Sequence, residues 1–177
     1  HIQSMKELVH MQSGKKIQLP YGWTAGRAFD ALIIQKEEES EILPELQLII
    51  PGETKTEHGY FVTRIISNEN QPIEQKKYTK WLDYDKITAG IMLRGRKPGD
   101  YLIVNRQGGR KKLKTYFMEE KIPADQRKKV WLLTCGEEVI WVVGHRISEA
   151  YKVKKDTKKI LEITYKEAAS WQKISEC

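Results

Sequence analysis

The sequence is poor in the residues that build disulfide frameworks, metal centres and membrane spans. Its 177 residues include two cysteines, Cys135 and Cys177, and four histidines. Two isolated cysteines argue against a disulfide framework and favour a reducing compartment, so we expect a cytoplasmic protein. The histidines are scattered and neither cysteine has a neighbouring ligand, which argues against a metal site. No apolar run approaches the roughly 20 residues that a membrane-spanning helix needs.

Common sequence motifs of catalysis are also missing. The chain contains neither G-x-x-x-x-G-K-[ST] nor G-x-G-x-x-G, the loops that bind nucleotide phosphates. It also has no G-x-S-x-G elbow for a nucleophilic serine. Gly108-Gly109 followed by basic residues is a weak relative of the phosphate loops, equally compatible with a flexible turn before a solvated helix face. We therefore expect no catalytic residue, cofactor or metal within this chain.

Positive charge is abundant, and it is unevenly placed. The chain carries 31 Lys and Arg against 24 Asp and Glu, a net charge of +7. Residues 94–129 hold twelve basic and four acidic side chains, a balance of +8, so the rest of the chain sums to −1. Residues 1–88 sum to −2 and residues 89–177 to +9. Such asymmetry between halves indicates that the second half meets a polyanion such as nucleic acid.

The first half predicts a helix followed by largely antiparallel strands. Apolar residues at helical spacing predict a helix over residues 1–12, and the chain begins inside this pattern without Met, as expected of a fragment of something longer. Alternating apolar and polar residues, bounded by turn residues, predict a hairpin of strands at 16–20 and 23–35. The same signals predict further strands at 46–50, 59–67 and 78–84. The shift in composition near Ala89 predicts a boundary between a first domain, 1–88, and a second, 89–177.

The second half predicts short strands around one helix. Strands are expected at 90–93 and 101–104, on either side of a turn, and as a hairpin at 130–134 and 139–143. Further strands are expected at 147–153 and 160–165. Between them Leu113, Tyr116 and Phe117 share one face of a helical pattern, and residues 124–129 form a second helical turn. The fold class is therefore α+β, in two small domains.

The candidate binding residues are basic side chains on these turns and on the helix start. Guanidinium and ammonium groups held in this way suit phosphate oxygens and position a nucleic acid without reading its bases. The candidates are Arg94, Arg96, Lys97, Arg106, Arg110, Lys111, Lys112, Lys114, Arg127 and Lys128. Asp100 is expected to brace the turn by accepting hydrogen bonds from turn amides or by orienting an arginine. Aromatic residues at helical or strand spacing, namely Tyr116, Phe117 and Trp131, are expected in the core rather than stacked on bases.

Several ordered motifs in the second half resemble a known family. They are Leu93-Arg94-Gly95-Arg96-Lys97-Pro98-Gly99-Asp100, Gly109-Arg110-Lys111-Lys112-Leu113-Lys114-Thr115-Tyr116-Phe117, Lys121-Ile122-Pro123 with Arg127, and Ile140-Trp141-Val142-Val143-Gly144-His145-Arg146-Ile147. Together they resemble the C-terminal domain of the bacterial tRNA(Ile)-lysidine synthases. In the first half, His1, Ser13-Gly14-Lys15 and Leu19-Pro20 are similar, more loosely, to that family's middle region.

The resemblance implies a part of an ATP-dependent ligase that joins lysine to the wobble cytidine of a minor isoleucine tRNA. It implies that ATP, with Mg²⁺, binds a separate catalytic domain through a Ser-Gly-Gly-x-Asp-Ser loop, which this chain does not contain. By the resemblance, the present chain grips the tRNA body and acceptor stem through a three-layer α+β C-terminal domain and is inactive alone.

The residues themselves leave an alternative open. The chain could be a freestanding module whose basic surface docks an acidic protein or RNA, and Glu37-Glu38-Glu39-Ser40-Glu41 could meet the same surface in cis. Peripheral membrane binding is disfavoured because no helix pairs the basic face with a large apolar face. The bases read and the oligomeric state do not follow from the sequence.

Overall fold

A computed structural model describes residues 16–28, 31–36, 42–73 and 76–168 of the chain. The chain divides into two compact units, His1–Glu41 and Ile42–Cys177. The helix expected over residues 1–12 and the acidic run at 37–41 lie outside the described residues. None of the helices in the described ranges is long and apolar enough to cross a membrane.

The first unit contains an antiparallel three-stranded sheet in the order β1-β2-β3. The strands are β1 Lys16–Leu19, β2 Trp23–Ala28 and β3 Ala31–Lys36. A short 3₁₀ turn, Pro20–Gly22, joins the first two strands, as the Leu-Pro and Tyr-Gly steps predict. The single strand expected over 23–35 is wrong, since residues 23–28 and 31–36 form two strands that pair antiparallel. The sequence between these two strands contains no Asn-Gly or Asp-Gly, the signal by which a tight hairpin is recognised.

The second unit contains two sheets and two short helices. Their bounds are β4 Leu46–Gln47, β5 Gly52–Thr56, β6 Gly59–Ser67, β7 Thr79–Asp83, β8 Met92–Arg94, β9 Tyr101–Ile103, β10 Arg110–Lys112, α1 Leu113–Glu119, α2 Gln126–Lys129, β11 Leu132–Cys135, β12 Glu138–Val142 and β13 Lys159–Glu167. Short 3₁₀ turns occur at Tyr84–Lys86 and Glu149–Tyr151.

The strands form a six-stranded sheet, β10-β9-β12-β11-β8-β4, and a four-stranded sheet, β5-β6-β13-β7. All pairings are antiparallel except that of β9 with β12. The fold is α+β with largely antiparallel sheets, as predicted. The strand expected over 147–153 is wrong, because this segment contains the 3₁₀ turn and only isolated bridges to neighbouring strands.

The domain boundary expected between residues 88 and 89 is wrong, because it falls inside the second unit. Strand β4 precedes this boundary and pairs with β8, which follows it. Strand β13, near the end of the chain, pairs with both β6 and β7 from the first half. The shift in charge near Ala89 therefore marks a change of surface and not a change of domain.

Two hydrophobic cores give the second unit three layers. Consecutive residues of a strand point to opposite faces of its sheet, and in β11 Leu132 and Leu133 enter different cores. Leu133 packs in the core between the two sheets, together with Phe61 and Ile163. Leu132 packs in the core beneath α1, together with Phe117. Burying one such side chain stabilises the fold by about 1.5–3 kcal/mol, and the layers run helix, sheet, sheet.

Candidate nucleic-acid interface

The turn between β8 and β9 is organised by a buried ion pair. Arg94 Nη1 donates to Asp100 Oδ2 at 2.9 Å and Nη2 donates to Oδ1 at 2.8 Å. The Asp100 side chain also accepts from the Lys97 amide at 2.7 Å. The neighbouring carboxylate raises the pKa of Arg94, while burial acts in the opposite direction. Asp100 therefore has the bracing role expected of it.

The Arg94 guanidinium also ties this turn to its neighbours. Nη1 donates to the carbonyl of Gly95 at 2.9 Å and Nη2 to that of Gly136 at 2.8 Å, in the β11–β12 hairpin. The Arg94 residue is only 4% exposed. The guanidinium faces protein groups and holds the turn that displays its neighbours, so Arg94, predicted as an RNA contact, occupies a bracing position in this structure.

Those neighbours, Arg96 and Lys97, are exposed. Lys97 Nζ lies 2.5 Å from a carboxylate oxygen of Glu45, with both side chains about half exposed. The hydrogen bond from Lys97 lowers the pKa of Glu45, and burial opposes it. An exposed ion pair of this kind contributes little to stability because water screens it, so Lys97 remains available to a phosphate that displaces Glu45.

Strand β10 places three basic residues at the edge of the six-stranded sheet. Lys111 pairs with Glu119 at the end of α1, so it lies on the helix side of the sheet. Arg110 and Lys112 alternate with it and point to the other face. The Arg110 guanidinium lies 4.6 Å from the ring centroid of Tyr101, a distance suited to a cation–π contact. Two exposed cations therefore share one face of the edge strand.

The remaining candidates divide between exposed and bracing positions. Arg106 and Lys114 are exposed, the first in the β9–β10 turn and the second on α1. Lys128 is exposed on α2. Arg127 is half-buried, and its Nε donates to the carbonyl of Ile122 at 2.6 Å, which closes the segment between the two helices. Arg127 thus shapes the surface, as Arg94 does.

The aromatic residues of this region are core residues, as expected. Tyr116, Phe117 and Trp131 are 3%, 0% and 7% exposed, so none of them offers a ring to a stacked base. Among the described residues, no group of three or more His, Cys, Asp or Glu side chains is placed to hold a metal ion.

The second unit also contains a basic groove that the sequence did not predict. Two cavities of about 580 and 780 Å³ lie side by side and share Ile73, Lys152 and Val153, and we call the pair the basic groove. Only Arg106 of the predicted candidates lines it. The signal available in the sequence was the basic run Lys152-Val153-Lys154-Lys155, but its partners come from distant parts of the chain.

Comparisons with known proteins agree on one family. Residues 91–164 match the family model described as the TilS substrate C-terminal domain. Over 93% of its length the chain is 34% identical to the tRNA(Ile)-lysidine synthase of Caldanaerobacter subterraneus subsp. tengcongensis. Over 92% of its length it is 36% identical to that of Clostridium tetani. The chain is similar to the C-terminal part of the tRNA(Ile)-lysidine synthases.

The chain matches only part of the length of each lysidine synthase. It spans about a third of the length of these curated relatives, 36% in both cases. A crystal structure of a TilS C-terminal domain superimposes on it with a TM-score of 0.60 at 21% identity, covering 72% of this chain and 98% of that one. This similarity shows that the two share a fold.

The Gly108-Gly109 turn does not form a phosphate-binding loop for ATP, which the resemblance places in a separate domain. The Ser-Gly-Gly-x-Asp-Ser loop is absent from the sequence. The glycine turn at Gly108-Gly109 is occupied internally, since the Gly109 amide donates to the side-chain oxygen of Asn105 at 2.8 Å. The helix α1 begins only at Leu113, after β10, so the turn does not open onto a helix N-terminus. We derive no nucleotide chemistry from this chain.

Proposed function

We propose that this chain is the tRNA-binding C-terminal segment of a lysidine synthase. It holds the body and acceptor stem of a minor isoleucine tRNA, while a separate catalytic domain uses ATP to attach lysine to the wobble cytidine. The segment supplies binding and no catalytic group. Similarity supports the enzyme class, because the relatives that the chain matches are named tRNA(Ile)-lysidine synthases.

One observation carries the proposal of tRNA binding. The buried ion pair of Arg94 and Asp100 fixes the β8–β9 turn. Other basic side chains, on this turn and on strand β10, remain exposed. The exposed candidates are Arg96, Lys97, Arg106, Arg110, Lys112, Lys114 and Lys128. A-form RNA is recognised largely through phosphates, 2′-hydroxyls and shape, and this favours cations held by rigid backbone over cations on a mobile tail.

Filter binding of the minor isoleucine tRNA to the 177-residue chain tests the proposal. Between about 50 and 300 mM KCl, several phosphate contacts require a steep fall in affinity with salt. The variant Arg96→Glu with Lys112→Glu should weaken binding by at least about tenfold at 0.1 M salt and flatten the salt slope. The matched control is Lys55→Glu with Lys86→Glu, two exposed lysines outside the interface.

Equal losses in the two double variants would show that only overall charge matters and would overturn the proposed interface. Absence of tRNA binding by the unmodified chain would overturn the proposed function itself.

A further inference from the structure

The basic groove of the second unit is assembled from segments far apart in the sequence. Its walls come from residues 68–73 after β6, from Lys80 and Trp81 on β7, from residues 145–147 after β12 and from residues 149–155. Arg106 reaches it from the β9–β10 turn. Arg106 is also one of the exposed basic candidates described above, so this one side chain belongs to both sets.

The charge of the groove is strongly unbalanced. Six cationic side chains line it against two carboxylates, a balance of +4, which is more than half of the chain's +7. The cations are Lys80, Arg106, Arg146, Lys152, Lys154 and Lys155, and the carboxylates are Glu120 and Glu149. A concave surface lined by one sign of charge focuses the electric field and raises the local concentration of counter-ions.

Most of this charge is not neutralised within the protein. Glu149 is already paired with Lys152 at 2.5 Å. Lys80 is partly buried, and its Nζ donates to the carbonyl of Lys76 at 2.6 Å. Burial lowers the pKa of Lys80, with no carboxylate raising it. Within the described ranges, the ammonium groups of Lys154 and Lys155 have no ion-pair partner. Like charges gathered without counter-charges destabilise a fold, and a bound polyanion would relieve that cost.

The rim of the groove is fixed by hydrogen bonds and so needs little reorganisation to bind. The side-chain amide of Asn68 donates to the carbonyls of Lys154, at 3.2 Å, and Thr157, at 2.7 Å. The Lys154 amide donates to the Thr157 hydroxyl at 2.9 Å, and the Asn68 amide donates to the carbonyl of Lys158 at 3.0 Å. This network ties one wall to the other and presents Lys154 and Lys155 on a rigid turn. A preorganised cation loses less entropy on binding.

We propose that this groove is a second contact for the phosphate backbone of RNA, entered from the exposed basic surface by way of Arg106. The inference rests on the proposed function, because the RNA in the groove would be part of the same tRNA that the chain is proposed to bind. RNA is favoured over an acidic protein because Arg106 lines the groove and is also one of the exposed candidates that the proposed function assigns to tRNA. The groove takes phosphates without reading bases, since its exposed charges are lysines and arginines on backbone turns.

The test compares three double variants of the 177-residue chain for binding of the minor isoleucine tRNA over a salt series. Lys154→Gln with Lys155→Gln removes two groove charges and should lower the salt slope by about two and the affinity by about tenfold at 0.1 M salt. Lys154→Arg with Lys155→Arg keeps the charges and should bind like the unmodified chain. Lys55→Gln with Lys86→Gln removes the same charge outside the groove, and its salt slope should stay within about half a unit of that of the unmodified chain. Unchanged thermal midpoints establish that all three variants fold.

The outcomes separate this inference from the proposed function. Binding by the unmodified chain, with equal affinity for the groove and control glutamine variants, overturns the groove while leaving the proposed function intact. Absence of binding by the unmodified chain overturns both. A groove variant that loses poly-glutamate binding but retains tRNA binding assigns the groove to an acidic protein and likewise overturns its assignment to RNA.

Discussion

Arg94 and Asp100 form a two-point ion pair inside the protein, at 2.9 and 2.8 Å, with side chains 5% and 1% exposed. They lie six positions apart in sequence, and the turn between them carries Arg96 and Lys97, which are exposed. The main-chain carbonyl of Asp100 also accepts from the Leu113 amide at 2.8 Å, at the first residue of α1. One residue thus fixes both a basic turn and the start of the helix.

Replacing Asp100 by alanine should destabilise the protein strongly. The variant leaves the buried Arg94 guanidinium without its counter-charge, which typically costs about 3–5 kcal/mol. The free energy of unfolding from a urea titration measures the effect. Asp156→Ala, at an exposed position, is the matched control and should change this energy by less than about 0.5 kcal/mol. Similar losses in both variants would contradict the bracing role of Asp100.

Replacing Gly99 by alanine should separate backbone strain from crowding. Gly99 has φ +95°, and an added Cβ would lie 2.8 Å from Glu137 Oε1. Gly108 has φ +82° with no atom within 4 Å of an added Cβ. Gly108→Ala should therefore show strain alone, about 1–2 kcal/mol, and Gly99→Ala a small additional loss, because the exposed Glu137 side chain must move aside.

A double-mutant cycle of Gly99→Ala with Glu137→Ala checks the cause. Removing the carboxylate should return the cost of Gly99→Ala to that of Gly108→Ala, because neighbouring sites are not additive. If the cost is the same with and without Glu137, crowding by that side chain plays no part.

Replacing Glu45 by glutamine should increase affinity for tRNA. Glu45 competes with phosphate for Lys97, from which it is 2.5 Å away. Its removal should raise the salt slope by about one and the affinity several-fold. Glu57→Gln, at an exposed position with no described ion pair, removes the same charge elsewhere. An equal gain from Glu57→Gln would show that the Lys97 contact is irrelevant to RNA.

Replacing Thr134 by valine should stabilise the protein slightly. The Thr134 hydroxyl is buried and has no hydrogen-bond partner among the described residues, so an apolar group of the same shape should gain up to about 1 kcal/mol. Thr63 is the contrasting case, since its hydroxyl donates to the carbonyl of Ile49 at 2.6 Å. Thr63→Val should cost about 1–3 kcal/mol, because it removes this bond and also the acceptor of the Gly52 amide, which donates to the Thr63 hydroxyl at 3.0 Å. The thermal unfolding midpoints of both variants measure these effects. A lower midpoint for Thr134→Val would mean that the Thr134 hydroxyl has a hydrogen-bond partner.

The local spacing of apolar residues predicted most of the helices and strands of the second unit. The features that it did not predict depend on pairing between strands far apart in the sequence. Leu113, Tyr116 and Phe117 are buried together as their spacing predicts. The boundary near Ala89 failed because β13 inserts between β6 and β7, a pairing across about ninety residues that leaves no trace in local charge. The burial of Arg94 and the groove around Lys152 could not be predicted for the same reason. The sequence shows that a side chain is basic, but not whether it faces solvent or a carboxylate.

The protonation of His145 should report on occupancy of the groove. This side chain lines the groove, where burial and then the nearby charge of Lys77 lower its pKa below 6.5, while Glu120 acts in the opposite direction. Lys80 and Lys152 face the same cavity. Phosphates bound there would favour the imidazolium, so tRNA should raise the pKa of His145 as measured by NMR titration. By linkage, tRNA affinity should then rise as pH falls between the raised and the lowered pKa. His145→Gln should abolish this dependence, and an unchanged imidazole pKa in the complex would place the RNA outside the groove.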